Sequence, residues 1–464
     1  MSRGGRVMGV VATLTIVLAG GLAAQVGGPV QRIQPPRVPG LAPPSGPFGV
    51  RGPWDPLGLL GAPSPAPSPI PSRAESTSPS DVVVLTALFS DSEEPFVDSG
   101  EIQRLLFDGP AEGGTFVDFY REASRGRVVP DGTVAPWVRT DVTLLEAAGS
   151  QEGHGWIGER RADYVVQAVE LADPTVDFRL FDNDGPDGVP DSGDDDGFID
   201  VLVVEFLEVA GSCGGPGIWP HFSSVSEEVG GQQIPGVPTD DFGANGTPIR
   251  AYTYLTQSAT DCTGEAPQGP NVIAHEYGHR LGLPDWYQAV EGIEPWKRHW
   301  NIGCFGLMGA GSWGCGAGEK LDNFGPVHPS AFSKVVLGWM ETETVTDVLE
   351  REYVLEPAQT TGQALYIPLG SGESFYVEYR PRIGFDAWLP AGGVLVYHRD
   401  EDPRSRTVPA GLPPAKALHL VEADGDHALR KVEAQGGNRG ESADVFGIDG
   451  RTGPYSSADG TVRL

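Results

Sequence analysis

Basic residues are scarce in this chain: 32 lysines and arginines stand against 63 aspartates and glutamates in 464 residues, a formal charge of −31. A surface of that sign repels phosphate backbones and anionic headgroups, which argues against nucleic acid as a partner. Long apolar runs are also few. After residues 7–19 no segment is long and apolar enough to span a membrane. A G-x-S-x-G elbow is missing as well, since Gly309-Ala310-Gly311-Ser312 does not supply one, so a serine hydrolase has no support. Cysteine and methionine occur four times each and histidine nine times. Any of them that falls into a pattern therefore carries weight.

The four cysteines, Cys213, Cys262, Cys304 and Cys315, all follow residue 212. The N-terminal stretch sets their compartment. Arg3 and Arg6 precede the apolar run at 7–19, and small residues follow, the layout of a secretory signal peptide over residues 1–24. No thiol lies near the cleavage point to take a lipid. After cleavage no membrane association is expected, and the product is secreted. An exported chain meets an oxidising environment, so an even number of cysteines predicts two disulfides. Of the three possible pairings, proximity favours Cys304–Cys315, which leaves Cys213–Cys262.

Residues 25–80 are dense in Pro, Gly, Ser and Ala and cannot bury a core, which predicts an extended linker or a removable pro-segment. Order begins at Asp81, where Val82-Val83-Val84-Leu85 reads as a buried strand. Helical spacing follows at 102–106, 115–123 and 161–172, and Val201–Phe206 is a second buried strand. Alternation of this kind gives a catalytic domain over 81–345 of α/β or α+β type. Short, turn-bounded apolar runs at 353–355, 364–367, 375–379 and 393–397 predict a β-rich region over 346–464.

The chemistry concentrates in residues 271–285. On a helix His275 and His279 stand four apart, so both imidazoles share one face and can share one metal ion. Glu276, next to the first histidine, can reach a metal-bound water without ligating the metal, which is where a general base belongs. Gly282 can take the left-handed conformation that ends a helix, and Pro284 then holds the chain extended. Asp285, ten residues after His275, is thereby offered as third ligand. Glu319 and Asp322 are its rivals from downstream. Chance alone gives H-E-x-x-H in roughly one chain in a hundred of this composition, and the added Gly and Asp lower that further. Met308 lies in a Gly-rich turn at 304–313, where a thioether could support a metal site from beneath.

These motifs resemble the immune inhibitor A family of secreted bacterial metallopeptidases, relatives of the metzincins. The likeness runs over about residues 81–447. It takes in Phe119-Tyr120-Arg121-Glu122-Ala123-Ser124-Arg125-Gly126, Ile218-Trp219-Pro220-His221, the histidine segment and the Met308 turn. It continues through Leu337-Gly338-Trp339, Phe375 to Arg380, Gly384-Phe385-Asp386 and Leu420-Val421-Glu422-Ala423-Asp424-Gly425. The resemblance implies an α+β, metzincin-like catalytic domain in which His275, His279 and Asp285 bind zinc. Glu276 would be the base and Met308 would form the Met-turn. One departure is that Ala310, not a tyrosine, stands two residues after Met308. That leaves the oxyanion donor unassigned.

Eight aspartates crowd residues 182–200, interleaved with glycines. Their repulsion calls for cations, and Asp182, Asp184, Asp187, Asp194, Asp196 and Asp200 are candidate calcium ligands. The expectation is a secreted zinc endopeptidase acting on extracellular proteins or peptides, in which Glu276 activates a zinc-bound water. The alternative is a secreted, calcium-stabilised binding or adhesion protein with a vestigial peptidase centre, against which the intact His275, Glu276 and His279 argue.

Overall fold

The valine-rich run Asp81–Leu88 (β1) divides its side chains between two cores. Val82, Val84 and Leu88 enter one cluster, and Val83, Leu85 and Ala87 the other. Covered on both faces, the strand needs no polar alternation. Val201–Phe206 repeats the arrangement, with Val201 and Val203 on one side and Leu202, Val204 and Phe206 on the other. The computed structural model describes residues 81–149, 158–183, 195–243, 246–317, 325–345, 351–370, 372–401 and 417–447, with two strand segments, Ala12–Leu18 and Val462–Arg463. The expected signal peptide, apart from its strand segment, and the Pro-rich segment at 25–80 lie outside the described residues.

The first sheet is built from β1, Asp131–Val134 (β2), Val138–Arg139 (β3), Val201–Phe206 (β4), His221–Ser224 (β5) and Thr253–Ser258 (β6). Its order is β2-β1-β4-β6-β5, with β3 also on β1. The pairs are parallel except β5 on β6, which is antiparallel and forms one edge.

The expected helix at 102–106 is Ser99–Gln103 (α1), which loosens into a π-turn at Arg104–Asp108. Phe116–Ala123 (α2) starts at a capping box between Thr115 and Asp118 and buries Phe116, Phe119, Tyr120 and Ala123 at helical spacing. Arg161–Ala172 (α3) covers the other face of the sheet through Tyr164, Val165, Ala168, Val169 and Ala172. Asn271–Arg280 (α4) joins α2 on the first face.

After the short helix Ala331–Val336 (α5) comes a second sheet. It is formed by Glu341–Thr344 (β7), Gln363–Gly370 (β8), Glu373–Arg380 (β9), Gly393–Asp400 (β10) and Leu418–Leu420 (β11), in that order. All its pairs are antiparallel except β7 on β8. Tyr376, Leu395, Tyr397 and Leu418 face the cluster that also holds Val82 and Ala274, so one core crosses residue 345. The fold is therefore α+β. No helix among the described residues is long and apolar enough to cross a membrane. Both disulfides form as proximity predicted, Cys213–Cys262 and Cys304–Cys315.

A buried chain of charges joins the second sheet to the helices of the first. Arg380, fully buried, donates to both carboxylate oxygens of Asp386 and to the carbonyl of Phe305. Its neighbour Glu378 faces Arg380 at 3.5 Å and Lys334 of α5 at 3.9 Å. Lys334 Nζ meets His328 Nδ1 at 3.1 Å, and His328 Nε2 meets Glu122 of α2 at 3.0 Å. Burial alone would raise Asp386; the Arg380 guanidinium outweighs it and holds the carboxyl well below its ordinary range. Asp386→Ala removes the bidentate partner of the buried guanidinium and leaves only the more distant Glu378, a loss of about 3–5 kcal/mol. The urea midpoint should fall accordingly, and Arg380→Met combined with Asp386→Leu should recover much of it. An unshifted midpoint in Asp386→Ala would count against this account.

Candidate metal centre

Helix α4 is buried along Asn271–Gly278, wedged between β5, β6, α2 and the loop carrying Met308. Tyr120 Oη donates to the carbonyl of Ala274 at 2.6 Å and fixes the helix against α2. Gly278 lets the methionine loop approach, since a Cβ there would lie 2.5 Å from Met308 Sδ. The thioether thus lies directly under the helix, as the Gly-rich turn suggested.

His275 and His279 share a face of α4, their ring centroids 5.0 Å apart. Each Nδ1 lies against a carbonyl, His275 on Leu307 at 2.9 Å and His279 on Leu283 at 2.8 Å. A carbonyl can only accept, so each Nδ1 carries a proton, which leaves each Nε2 as the ring atom that can face a metal. The chain then reverses. Gly282 adopts φ 89°, Leu283 N bonds back to Gly278 O, and Trp286 N bonds to Met308 O at 2.7 Å. This brings Asp285 Oδ1 to 3.1 Å from His275 Nε2 and 3.5 Å from His279 Nε2.

Two ring nitrogens and a carboxylate oxygen thus converge on one point. Two imidazoles and a carboxylate are a donor set that suits a catalytic metal. With no metal, burial opposes the charged form of His279, but the Asp285 carboxylate outweighs it and holds the imidazole up to about 9. Burial likewise opposes ionisation of Asp285, and the two histidines overcome it, holding the carboxyl well below its ordinary range.

Glu276 lies beside this triad and outside it, with Oε2 4.0 Å from His279 Nε2. Burial raises its pKa, and the N–H of Phe222, on the edge strand β5, donates to it. Glu319 and Asp322, the rivals of Asp285, lie outside the described residues.

Asp184, Asp187, Asp191 and Asp194 also lie outside the described residues. Of the acidic segment's other members, Asp182 accepts from Gly197 N, Asp196 from Phe198 N and Asp200 from Asn183 N. Among the described residues none of them enters a cluster of three or more ligand groups, so calcium here has no support.

Sequence reasoning gave no role to the aromatic wall of the site. Tyr287 stacks on His275 with centroids 6.3 Å apart, and Trp313 meets the same ring edge-on at 6.3 Å. The Arg298 guanidinium lies over Tyr287 at 4.7 Å and over Trp219 at 5.0 Å. Only the position of Tyr287, two residues after Asp285, hinted at such a part.

A buried helix bearing H-E-x-x-H under a sheet with an antiparallel edge strand, with a carboxylate returned to both histidines, defines a metallopeptidase. The family model for the immune inhibitor A peptidase M6 catalytic domain matches residues 103–340, and the chain belongs to that family. It is 30% identical over 245 residues to immune inhibitor A of Bacillus thuringiensis subsp. alesti, covering 48% of this chain and 32% of the relative. It is also 27% identical over 384 residues to the pre-pro-metalloprotease PrtV of Vibrio cholerae serotype O1, covering 74% of this chain and 38% of that protein. The chain thus spans about a third of the length of these curated relatives.

Gly278→Ala forces a methyl group onto Met308 Sδ, and overpacking of this kind costs about 1–3 kcal/mol. The variant should melt lower and retain less metal after dialysis. Unchanged values for both would mean that the thioether moves aside freely.

Proposed function

We propose that the chain is a secreted zinc endopeptidase with a metzincin-like centre, in which His275, His279 and Asp285 hold the ion and Glu276 is the general base. The observation that carries this reading is the meeting of Asp285 Oδ1 with both Nε2 atoms while each Nδ1 is committed to a carbonyl. Zinc bound there supplies Lewis acidity toward water and toward the scissile carbonyl. Glu276 takes a proton from the attacking water and delivers it to the leaving amine. Its burial raises the pKa, which favours taking the proton. Leu307 O and Leu283 O orient the imidazoles, and Met308 supports them from below. The substrates are extracellular proteins or peptides. Secretion accords with the two disulfides, which persist in oxidising compartments.

Zinc content and activity should separate in Glu276→Gln, whose amide cannot accept a proton while both imidazoles remain. Casein hydrolysis should drop by about 10²–10⁴-fold at full zinc occupancy. Near-normal turnover would sink the proposed base.

Asp285→Ala should lower zinc affinity by about tenfold or more and abolish activity, whereas Glu319→Ala and Asp322→Ala keep the metal. The reverse pattern would move the third ligand downstream.

Because Asp285 lets His279 hold a proton up to about 9 in the metal-free protein, zinc must displace it at neutral pH. Calorimetry in buffers of different ionisation enthalpy should record release of about one proton per zinc at pH 7, fading as pH rises past 9. Zero release at pH 7 would mean that His279 is already neutral.

A further inference from the structure

We infer that Glu422, Asp424, Asp426 and Asp444 form a second metal site, of all-oxygen chemistry, which takes a divalent cation of the calcium class. The four carboxylates come from two segments, the turn that leaves β11 and the short 3₁₀ turn Ser442–Asp444. One oxygen from each lies within 4.8 Å of the others. Donors on opposite sides of a calcium ion bound at about 2.3–2.6 Å stand about 4.6–5.2 Å apart, so this spacing fits one such ion. With no nitrogen or sulfur donor in the group, softer metals have little to bind.

Crowded carboxylates alone would say nothing, since solvated acidic turns are common. The second observation is what two of these groups leave unmade. Glu422 is 4% exposed and Asp444 1%. Glu422 Oε2 accepts from Leu429 N, and Asp444 Oδ2 accepts from Glu441 N. Their other oxygens, Glu422 Oε1 and Asp444 Oδ1, are buried without any hydrogen-bond partner. A buried acceptor left unpaired is costly, and two of them beside one another in a four-carboxylate group mark where a cation belongs.

Asp424 and Asp426 stand at the exposed rim, each with Oδ1 on a backbone N–H, of Asp426 and Ala428 respectively. The site is therefore a bowl, with two carboxylates in its floor and two at a mouth open to water, which suits an ion that keeps some hydration. The charges acting on Glu422 are those of Asp444 and Asp426, and those acting on Asp444 are Asp424, Glu441 and Asp426. Burial together with this like charge pushes Glu422 up to about 9 and Asp444 to about 7 when no ion is present.

An ion here would tie the exit of β11 to the closing turn, where Ala423 N already bonds to Asp444 O. It would also brace the segment after the turn. Leu429 O accepts from Trp300 N and Asn301 N, and Arg439 O accepts from Cys304 N, at the start of the Met308 loop. The site would thus act as a structural clamp.

The test uses the full-length, zinc-loaded protein, with calcium alone as probe, read by equilibrium dialysis and by melting temperature. Glu422→Gln with Asp444→Asn should lose one bound calcium per chain and that site's share of calcium stabilisation, with zinc content unchanged. Asp424→Asn with Asp426→Asn, at the exposed rim, should weaken the same site by about tenfold or more, and it decides the matter if the buried pair fails to fold. Asp182→Asn with Asp200→Asn, in the other acidic segment, should leave this site's calcium in place. The inference is overturned if wild type binds no calcium in the millimolar range. It is equally overturned if the carboxamide pairs at 422/444 and 424/426 match wild type in both calcium stoichiometry and melting response.

Discussion

The candidate metal centre depends on one backbone reversal. Had helix α4 continued past Arg280, Asp285 would sit about 15 Å along the axis from His275, at 1.5 Å per residue. Gly282, at φ 89°, ends the helix, and the carboxylate comes within 3.1 Å of the first histidine. A side chain at that φ is strained, so the sharp return rests on the missing Cβ. Two backbone bonds then make the reversal rigid. Leu283 N closes on Gly278 O, and Trp286 N reaches Met308 O, so the residues flanking Asp285 are anchored on the helix and on the methionine loop.

That loop is held in turn from below, by the second sheet. Phe305 O accepts from Arg380 of β9 and Tyr397 of β10, and two residues later Leu307 O accepts from His275. Neighbouring carbonyls of one loop therefore face His275 and the buried guanidinium. Replacing a buried ion pair with apolar residues is often neutral for stability. Its merit here is directional: an arginine fork fixed by Asp386 orients a carbonyl more narrowly than aliphatic packing can. The strands beyond residue 341 accordingly belong to the machinery that orients the histidines, and the shared hydrophobic cluster says the same. The Cys304–Cys315 disulfide spans this loop, while Cys262, joined to Cys213, packs near the Trp219–Trp313 pair that walls the site.

Local features were legible in the sequence. β-branched runs gave the doubly buried strands, and helical spacing gave α2 and α3. The scarcity of histidine and cysteine made the metal motif and the disulfide pairing stand out. Gly282 was legible because only glycine takes its φ without strain. Contacts between distant positions were not. Glu122, His328, Lys334, Glu378, Arg380 and Asp386 span more than half the chain, and no periodicity announces that they meet. The resemblance marked Glu122, Arg380 and Asp386 as parts of separate segments without revealing one buried network. Acidic groups divide in the same way. Aspartates dense in sequence attract attention, whereas Glu422 and Asp444 become neighbours only when the second sheet closes.

With so few basic residues, this chain satisfies its buried carboxylates by different means, and the difference separates structure from chemistry. Asp386 takes an arginine and stays ionised. Glu205, fully buried in β4, has the Gln257 amide at 2.5 Å, and burial pushes it up to about 7. Asp285 is kept ionised by the two imidazoles it faces. Glu276 falls between these cases: burial raises it, while His275 and His279 pull it down. A general base works best when its pKa lies near the working pH, where it can both take and return a proton. Burial favours the protonated carboxyl and the imidazoles favour the carboxylate, so the two act on the proposed base in opposite directions. The pairing of a buried carboxyl with two adjacent imidazoles therefore suits the proposed base, and it follows from the same four-residue spacing that makes the histidines candidate ligands.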